Sequence, residues 1–157
     1  MELVWEELNS RSGHEAGRAL LAKTYHRLFG QEMPQILVTE RGKPCFVDRS
    51  AHFSISHTKN RVFLCMHDAN VGIDAEEMER SIRPEVAQRF LSPREKVRLE
   101  NAADQQAALL RLWVLKESYA KLTGRGWGNY LRETDFAPED PRVQIIDGCY
   151  VAVLTEA

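Results

Sequence analysis

Apolar positions recur along the chain with two different periods, and each period predicts a different kind of element. Over residues 12–29 and 109–124, apolar side chains return every three or four positions, which is typical of a helix with one face against a core. Gly30 follows the first stretch and Gly124 ends the second, and glycine is the residue that most often terminates a helix. We therefore predict two long helices over these stretches.

Helix starts are indicated by serine residues followed by glutamate three positions later. Ser12 with Glu15 has this pattern, and so has Ser92 with Glu95, where Pro93 also occupies the first helical position. In such a capping box the serine and glutamate side chains bond to the backbone N–H groups at the helix start. Glu95 therefore has a structural explanation from the outset. A further short helix is predicted over residues 84–90.

Shorter apolar runs have the period of strands. Residues 52–57 alternate strictly, with phenylalanine and isoleucine on one face and serines on the other. Short strand-like runs are also found at residues 3–5, 36–38, 62–66, 71–76, 142–146 and 149–155. We predict a hairpin turn at residues 67–70 and another at Asp147–Gly148, a dipeptide favoured in type I′ turns. Hairpins mixed with helices indicate an α+β fold with antiparallel sheets.

Composition indicates an ordinary globular domain. The chain has 157 residues, is 43% hydrophobic and 28% charged, and carries a net charge of −2. We expect one domain over residues 1–157, with no nucleic-acid partner and no membrane span, because neither a basic field nor a long apolar run is present. The three cysteines, Cys45, Cys65 and Cys149, match no zinc spacing and suit a reducing cytoplasm.

Three acidic residues stand where acids are unusual. Asp74 and Glu76 are two positions apart in a predicted strand, so both carboxylates leave the same face. Glu117 lies on the edge of the apolar stripe of the long helix, four residues before Lys121. One interpretation is a pair of solvated acids and an ordinary helical Glu–Lys pair. The other is a Mg²⁺ ion held by carboxylates with phosphate oxygens beyond it.

Two cations and one histidine lie near the first predicted strands. Arg41-Gly42-Lys43-Pro44 reads as a turn with two cations, and His57 ends the alternating strand. The turn is either merely polar or a site for an anionic ligand, which His57 would then help to bind. Residues 80–98 are rich in arginine and lysine. Such a run is a solvated face or a docking surface for an acidic protein.

Three blocks of sequence together resemble the 4′-phosphopantetheinyl transferases of the surfactin-synthetase-activating type. They are Arg41–Pro44 followed by Phe53–His57, then Val71–Glu76, then Trp113–Lys121. The resemblance extends from about Ser12 to the last hairpin. It implies two similar α/β halves, about residues 1–70 and 71–157, related by a pseudo-twofold axis and holding coenzyme A between them.

The resemblance also implies an activity and a set of site residues. Such enzymes move the phosphopantetheine arm of coenzyme A to a serine of an apo acyl or peptidyl carrier protein and release adenosine 3′,5′-bisphosphate. Mg²⁺ would be held by three acids, and Lys121 would contact coenzyme phosphates. The implied metal ligands are Asp74, Glu76 and Glu117, and the residues implied at the adenosine 3′-phosphate end are Arg18, Arg41, Lys43, Pro44, Ser56 and His57.

A carboxylate would take the proton of the carrier serine in this mechanism, directly or through water. Glu117 is the favoured base and Glu95 is the second candidate. Residues 80–98 would dock the acidic carrier protein. The main alternative is a module that binds coenzyme A or a carrier protein without chemistry, and a further alternative is a metal-dependent phosphohydrolase.

Overall fold

A computed structural model describes residues 1–156 of the chain. The helices are α1 (Gly13–Phe29), α2 (Pro84–Ala87), α3 (Pro93–Glu100) and α4 (Gln105–Thr123), with a 3-10 helix at Asn129–Glu133. The strands are β1 (Glu2–Glu7), β2 (Ile36–Val38), β3 (Pro44–Phe46), β4 (His52–His57), β5 (Arg61–His67), β6 (Val71–Glu77), β7 (Val143–Ile146) and β8 (Cys149–Thr155). The predicted α+β class is confirmed.

Local capping chemistry determines where the helices begin and end. The Ser12 hydroxyl accepts a hydrogen bond from the Glu15 N–H at the start of α1, and Gly30 ends that helix in the left-handed region. Ser92 and Glu95 form the predicted capping box at the start of α3. The predicted helix over residues 84–90 shrinks to the single turn of α2. The helices with a clear capping pattern in the sequence were therefore predicted more accurately than the helix without one.

The strands form three antiparallel sheets. The first has the order β1-β5-β4 and packs against α1, the second is the small β2-β3 hairpin, and the third has the order β6-β8-β7 and packs against α4. Strands before and after residue 70 thus belong to different sheets. The pseudo-twofold relation between two halves stays a prediction.

The predicted hairpin at residues 67–70 is wrong. Strand β5 is the central strand of its sheet, paired with β1 on one side and β4 on the other, while β6 pairs with β8. Because both edges of β5 are taken, it offers no backbone groups to β6. The chain instead crosses at residues 68–70 from one sheet to the next. The second predicted hairpin is confirmed, since Asp147 and Gly148 both have positive φ, as a type I′ turn requires.

Helix α4 is the central helix of the second half of the chain. Its buried positions surround the helix axis rather than forming one stripe, because β6 and β8 cover one side and α3 contacts another. The expectation of a single apolar face is therefore corrected. Within residues 1–156, no helix combines the length and the apolar character that crossing a bilayer requires.

Candidate active site

Two serine side chains join the first sheet to the third. The N–H of Ile73 donates to Ser54 Oγ, and the N–H of Ala75 donates to Ser56 Oγ, each over 3.1 Å. Strands β4 and β6 are thus linked through side-chain hydroxyls, although they share no backbone ladder. Both serines are buried. The face predicted to be the polar side of β4 is therefore the seam between the two sheets.

Helix α4 lies directly on strand β6 because Gly72 has no side chain. A Cβ atom built at Gly72 would lie 2.1 Å from the Ser118 carbonyl oxygen and 2.6 Å from the Leu122 backbone nitrogen. A glycine in a strand permits the close approach of another backbone, and at Gly72 the approaching backbone is that of α4. This contact brings Glu117 and Lys121 of the helix to Asp74 of the strand.

Asp74 is almost fully buried at this junction. Its Oδ1 atom accepts hydrogen bonds from Ser56 Oγ at 3.1 Å and from Lys121 Nζ at 3.3 Å, whereas its Oδ2 atom has no hydrogen-bond partner. Burial raises the pKa of Asp74 to about 8, and the charges of Glu117 and Glu76 add to the rise. The interpretation of Asp74 as a solvated acid is therefore wrong.

Lys121 is held in the same seam by backbone oxygens. Its ammonium donates to the Ile73 carbonyl at 2.9 Å and to the Ile55 carbonyl at 3.2 Å. These bonds tie α4 to β6 and β4 together. The interpretation of Glu117 and Lys121 as an ordinary helical ion pair is corrected, because the carboxylate that Lys121 pairs with is that of Asp74.

Glu117 and Glu76 face Asp74 closely enough to interact by charge. Burial raises the pKa of Glu117, and Glu76 adds to the rise, while Lys121, Arg80 and a hydrogen bond with Trp127 act against it. Glu76 accepts a hydrogen bond from Arg80. Among residues 1–156, no three His, Cys, Asp or Glu side chains are already arranged as a metal cluster.

The three carboxylates nevertheless fit a divalent cation. Asp74 Oδ2 is a buried acceptor without a donor, which is costly unless a positive group satisfies it. Burial raises the pKa values of Asp74 and Glu117, and neighbouring carboxylates add to the rise. Carboxylate oxygens are the protein ligands that Mg²⁺ prefers. The chemistry of Asp74, Glu76 and Glu117 therefore fits a divalent cation.

A cavity of about 330 Å³ opens beside Glu117. Its lining includes Glu117 and Lys121 and also Arg41 and Pro44 of the predicted anion-binding turn. Trp127 lines it as well, and its ring packs at a tilt against the rings of Phe90 and Trp113. The predicted phosphate-binding turn and the predicted metal-binding helix therefore share one cavity.

Lys43 reaches this cavity but its ammonium is already occupied. It donates to Asn70 Oδ1 at 2.6 Å, to the Leu122 carbonyl at 3.0 Å and to the Val71 carbonyl at 3.3 Å. Burial lowers the pKa of Lys43. In this conformation Lys43 fastens the turn to β6 and α4, and it contributes positive charge at the cavity edge rather than a free ammonium.

The other residues predicted for the 3′-phosphate lie around the first sheet. His57 is exposed at the end of β4, and its ring contacts Gly13 at the start of α1. His57 also lines a second cavity of about 600 Å³ together with Glu76 and Arg80. Arg18 is half-buried on α1, next to Gly17, which packs against Ile55 of β4. Arg18 and His57 therefore lie on the side of β4 that faces α1.

Glu95 has no access to this site. Its side chain is 0% exposed, its Oε1 atom lies 2.6 Å from Lys116 Nζ, and its Oε2 atom accepts from the Phe136 N–H. It also closes the capping box with Ser92. A carboxylate with all these partners and no exposure cannot reach a carrier serine, so the expectation that Glu95 is a second base is corrected.

A family model of the 4′-phosphopantetheinyl transferase superfamily matches residues 70–148, which include Asp74, Glu76, Glu117 and Lys121. The chain belongs to the 4′-phosphopantetheinyl transferase superfamily. The resemblance inferred from the three sequence blocks is therefore confirmed at the level of the family.

Individual members of the superfamily match longer parts of the chain. The 4′-phosphopantetheinyl transferase psf-1 of Bacillus pumilus is 36% identical over 115 residues, which are 70% of this chain and 49% of the relative. The 4′-phosphopantetheinyl transferase HetI of Nostoc sp. is 33% identical over 138 residues, covering 80% of this chain and 58% of the relative. Sfp of Bacillus subtilis is 38% identical over 90 residues, covering 55% and 40%. The chain thus spans about half the length of the relatives it matches.

Sequence reasoning did not assign three residues that contribute to this candidate site. Ser54 was interpreted only as part of an alternating strand and Arg80 only as one of a basic run, and Trp127 was given no role. The two seam serines, Ser54 and Ser56, could have been detected from the sequence. Two strongly apolar strands follow their strand, so its serine face has no access to solvent. Arg80 follows Glu76 by four residues, but outside a helix that spacing carries no contact prediction.

Proposed function

We propose that this chain transfers 4′-phosphopantetheine from coenzyme A to a serine of an apo acyl or peptidyl carrier protein, with Mg²⁺, releasing adenosine 3′,5′-bisphosphate. The observation that carries the proposal is the unpartnered Oδ2 atom of Asp74, buried beside Glu117, Glu76 and Lys121 in a member of the transferase superfamily. A bound Mg²⁺ would neutralise the diphosphate of the coenzyme at this place.

The residues that would bind the coenzyme surround the 330 Å³ cavity and the strand beside it. Lys121 places its ammonium next to Asp74, where it would offset the negative charge of the diphosphate. Arg41 and Pro44 also line the cavity. We assign the adenosine 3′-phosphate end to the proposed set Arg18, Arg41, Lys43, Pro44, Ser56 and His57. Of these, the buried Ser56 acts through Asp74, to which its hydroxyl donates.

The proposed chemistry is one substitution at phosphorus. The carrier serine oxygen forms a bond to the phosphorus that bears pantetheine, the bond from that phosphorus to the bridging oxygen breaks, and the adenosine bisphosphate leaves. The serine proton passes to the Glu117 carboxylate, directly or through water. Glu117 lines the 330 Å³ cavity, which gives its carboxylate access to the bound coenzyme.

The test is incubation with coenzyme A, Mg²⁺ and a panel of apo acyl and peptidyl carrier proteins, followed by intact-mass measurement. We expect at least one carrier to gain the mass of one phosphopantetheine group, and Glu117→Gln to abolish the gain. Glu100→Gln, an exposed acid on α3, is the matched control. Coenzyme binding without any mass gain on several carriers would instead indicate a binding module, and coenzyme breakdown without a carrier would indicate a hydrolase.

We also propose that the protein works in the cytoplasm, where carrier proteins and coenzyme A would be available to it. All three cysteines are free thiols, and Cys65 and Cys149 are buried. Free buried thiols suit a reducing compartment. Cell fractionation with an antibody to the chain tests this location.

A further inference from the structure

Arg80 occupies an unusual position for an arginine in a basic run. It follows the end of β6 by three residues, and its guanidinium donates to Glu76 Oε1. The Gln106 side chain of α4 donates to the Arg80 carbonyl at 3.2 Å, which fixes the backbone of the loop against the helix. The Glu76 side chain is only 12% exposed whereas that of Arg80 is 49% exposed. The pair therefore joins an inward-facing carboxylate to an outward-reaching cation.

The guanidinium of Arg80 brings a second positive charge to the proposed metal site. It pairs with Glu76, whose carboxylate lies on the same strand as the buried Asp74. Lys121 approaches Asp74 from α4, while Arg80 reaches the site from the loop after β6. Two cations from this chain therefore offset three acids.

The two cations differ in how tightly they are held. Lys121 is tethered by two backbone carbonyls in addition to Asp74. Arg80 has Glu76 as its side-chain partner, and both line the open cavity of about 600 Å³ beside His57. The Arg80 side chain is 49% exposed and borders an open cavity, so its guanidinium can leave Glu76 when another cation takes its place. Arg80 is thus the exchangeable cation of the site.

We infer that Arg80 is an internal counter-cation, which neutralises the carboxylates when no metal is bound and competes with the divalent ion for Glu76. This inference rests on the metal site of the proposed function. A metal ion bound by Glu76 would need the carboxylate oxygen to which Arg80 donates. The metal ion and the Arg80 guanidinium would then lie close together, and their positive charges would repel each other. Metal binding therefore requires Arg80 to move toward the second cavity. Arg80 is a positioning residue that sets the metal affinity.

Removal of Arg80 should strengthen metal binding instead of weakening it. Loss of a merely structural ion pair weakens a site, whereas loss of a competing cation strengthens metal binding. We expect Arg80→Gln to bind Mn²⁺, used as a paramagnetic probe for Mg²⁺, about three- to tenfold more tightly than the unchanged protein. Arg80→Lys keeps the charge and should remain close to the unchanged affinity. The gain should shrink at high salt, because screening weakens the original competition.

The experiment is a Mn²⁺ titration followed by electron paramagnetic resonance, on the full chain without coenzyme or carrier. Asp74→Asn defines the site, and Arg83→Gln, an exposed arginine in the same loop, is the charge-matched control. Tighter binding in Arg80→Gln alone supports the inference. Unchanged or weaker binding in Arg80→Gln, with Mn²⁺ still bound through Asp74, overturns it while the proposed metal site stands. Absence of any Asp74-dependent Mn²⁺ binding overturns both.

Thermal unfolding supplies a second measurement that does not depend on the metal titration. Without metal, Arg80→Gln should unfold at a lower temperature than Arg83→Gln, because three acids then share one cation. Saturating Mg²⁺ should restore the two variants to the same stability. Equal stability of the two variants without metal would contradict the counter-cation role.

Discussion

The contact between Gly72 and α4 offers the sharpest test of how the fold builds the site. In Gly72→Ala the added methyl group would meet the Ser118 carbonyl oxygen at 2.1 Å, which is more than an ångström short of the 3.4 Å at which ordinary contact begins. The Leu122 backbone nitrogen at 2.6 Å blocks a second direction. Both neighbours are backbone atoms of a helix, so no side-chain rotation relieves the clash. Strand β6 and helix α4 must move apart.

The size of the effect follows from that separation. Overpacking of a well-packed core costs about 1–3 kcal/mol, and a clash between two backbones belongs at the upper end, so we expect a loss of about 3 kcal/mol in the free energy of unfolding. For a chain of this size that loss lowers the melting temperature by about 6–12 °C. A shift of an ångström would also stretch the 3.3 Å contact between Lys121 and Asp74 beyond hydrogen-bonding distance.

The assay combines urea unfolding with Mn²⁺ titration of the folded variant. We expect Gly72→Ala to be destabilised and to bind Mn²⁺ at least tenfold more weakly. Gly30→Ala is the matched control, because Gly30 has a φ of 67° and no atom within 4 Å of the added Cβ, so it incurs a backbone cost of about 1 kcal/mol without a clash. If Gly72→Ala is no less stable than Gly30→Ala and keeps its metal affinity, the packing argument is refuted.

Two further predictions concern the buried charges. Because the pKa of Asp74 rises from 3.8 to about 8 on folding, the metal-free protein should lose stability as the pH rises from about 4 to about 8. Asp74→Asn should lose less stability over the same range when melting is followed by fluorescence. Equal slopes of melting temperature against pH in the two proteins would contradict the burial argument. Lys116→Met leaves the 0% exposed Glu95 carboxylate without its cation, so the free energy of unfolding, measured by urea unfolding, should fall by about 3–5 kcal/mol. Adding Glu95→Gln to this variant should recover part of the loss. No recovery would show that the broken ion pair is not the cause.

The elements that sequence predicted best were those with their own chemical signals. Ser12 with Gly30 and Ser92 with Glu95 bracket or start helices through bonds to nearby backbone groups, and such local chemistry does not depend on the rest of the fold. The hairpin between β5 and β6 failed for the opposite reason. Whether β5 has a free edge depends on β1, which lies more than 50 residues earlier in the chain.

The candidate site was predictable in its residues but not in its geometry. The spacing of Asp74 and Glu76 on one strand face indicated paired acids, and Glu117 with Lys121 indicated a second group on a helix. A glycine such as Gly72 in a strand does not show which backbone approaches it. The ion pair of Arg80 with Glu76 and the hydrogen bonds of Lys43 to carbonyl oxygens depend on three-dimensional packing, which no local pattern records.

The most direct test of the central claim is the anomalous scattering of Mn²⁺ in crystals of the chain grown with coenzyme A. The account predicts one strong peak bounded by carboxylate oxygens of Asp74, Glu76 and Glu117, with the coenzyme diphosphate beside it and Arg80 turned away from Glu76. A metal peak away from these three side chains, or coenzyme bound with its diphosphate far from Asp74, would contradict the account.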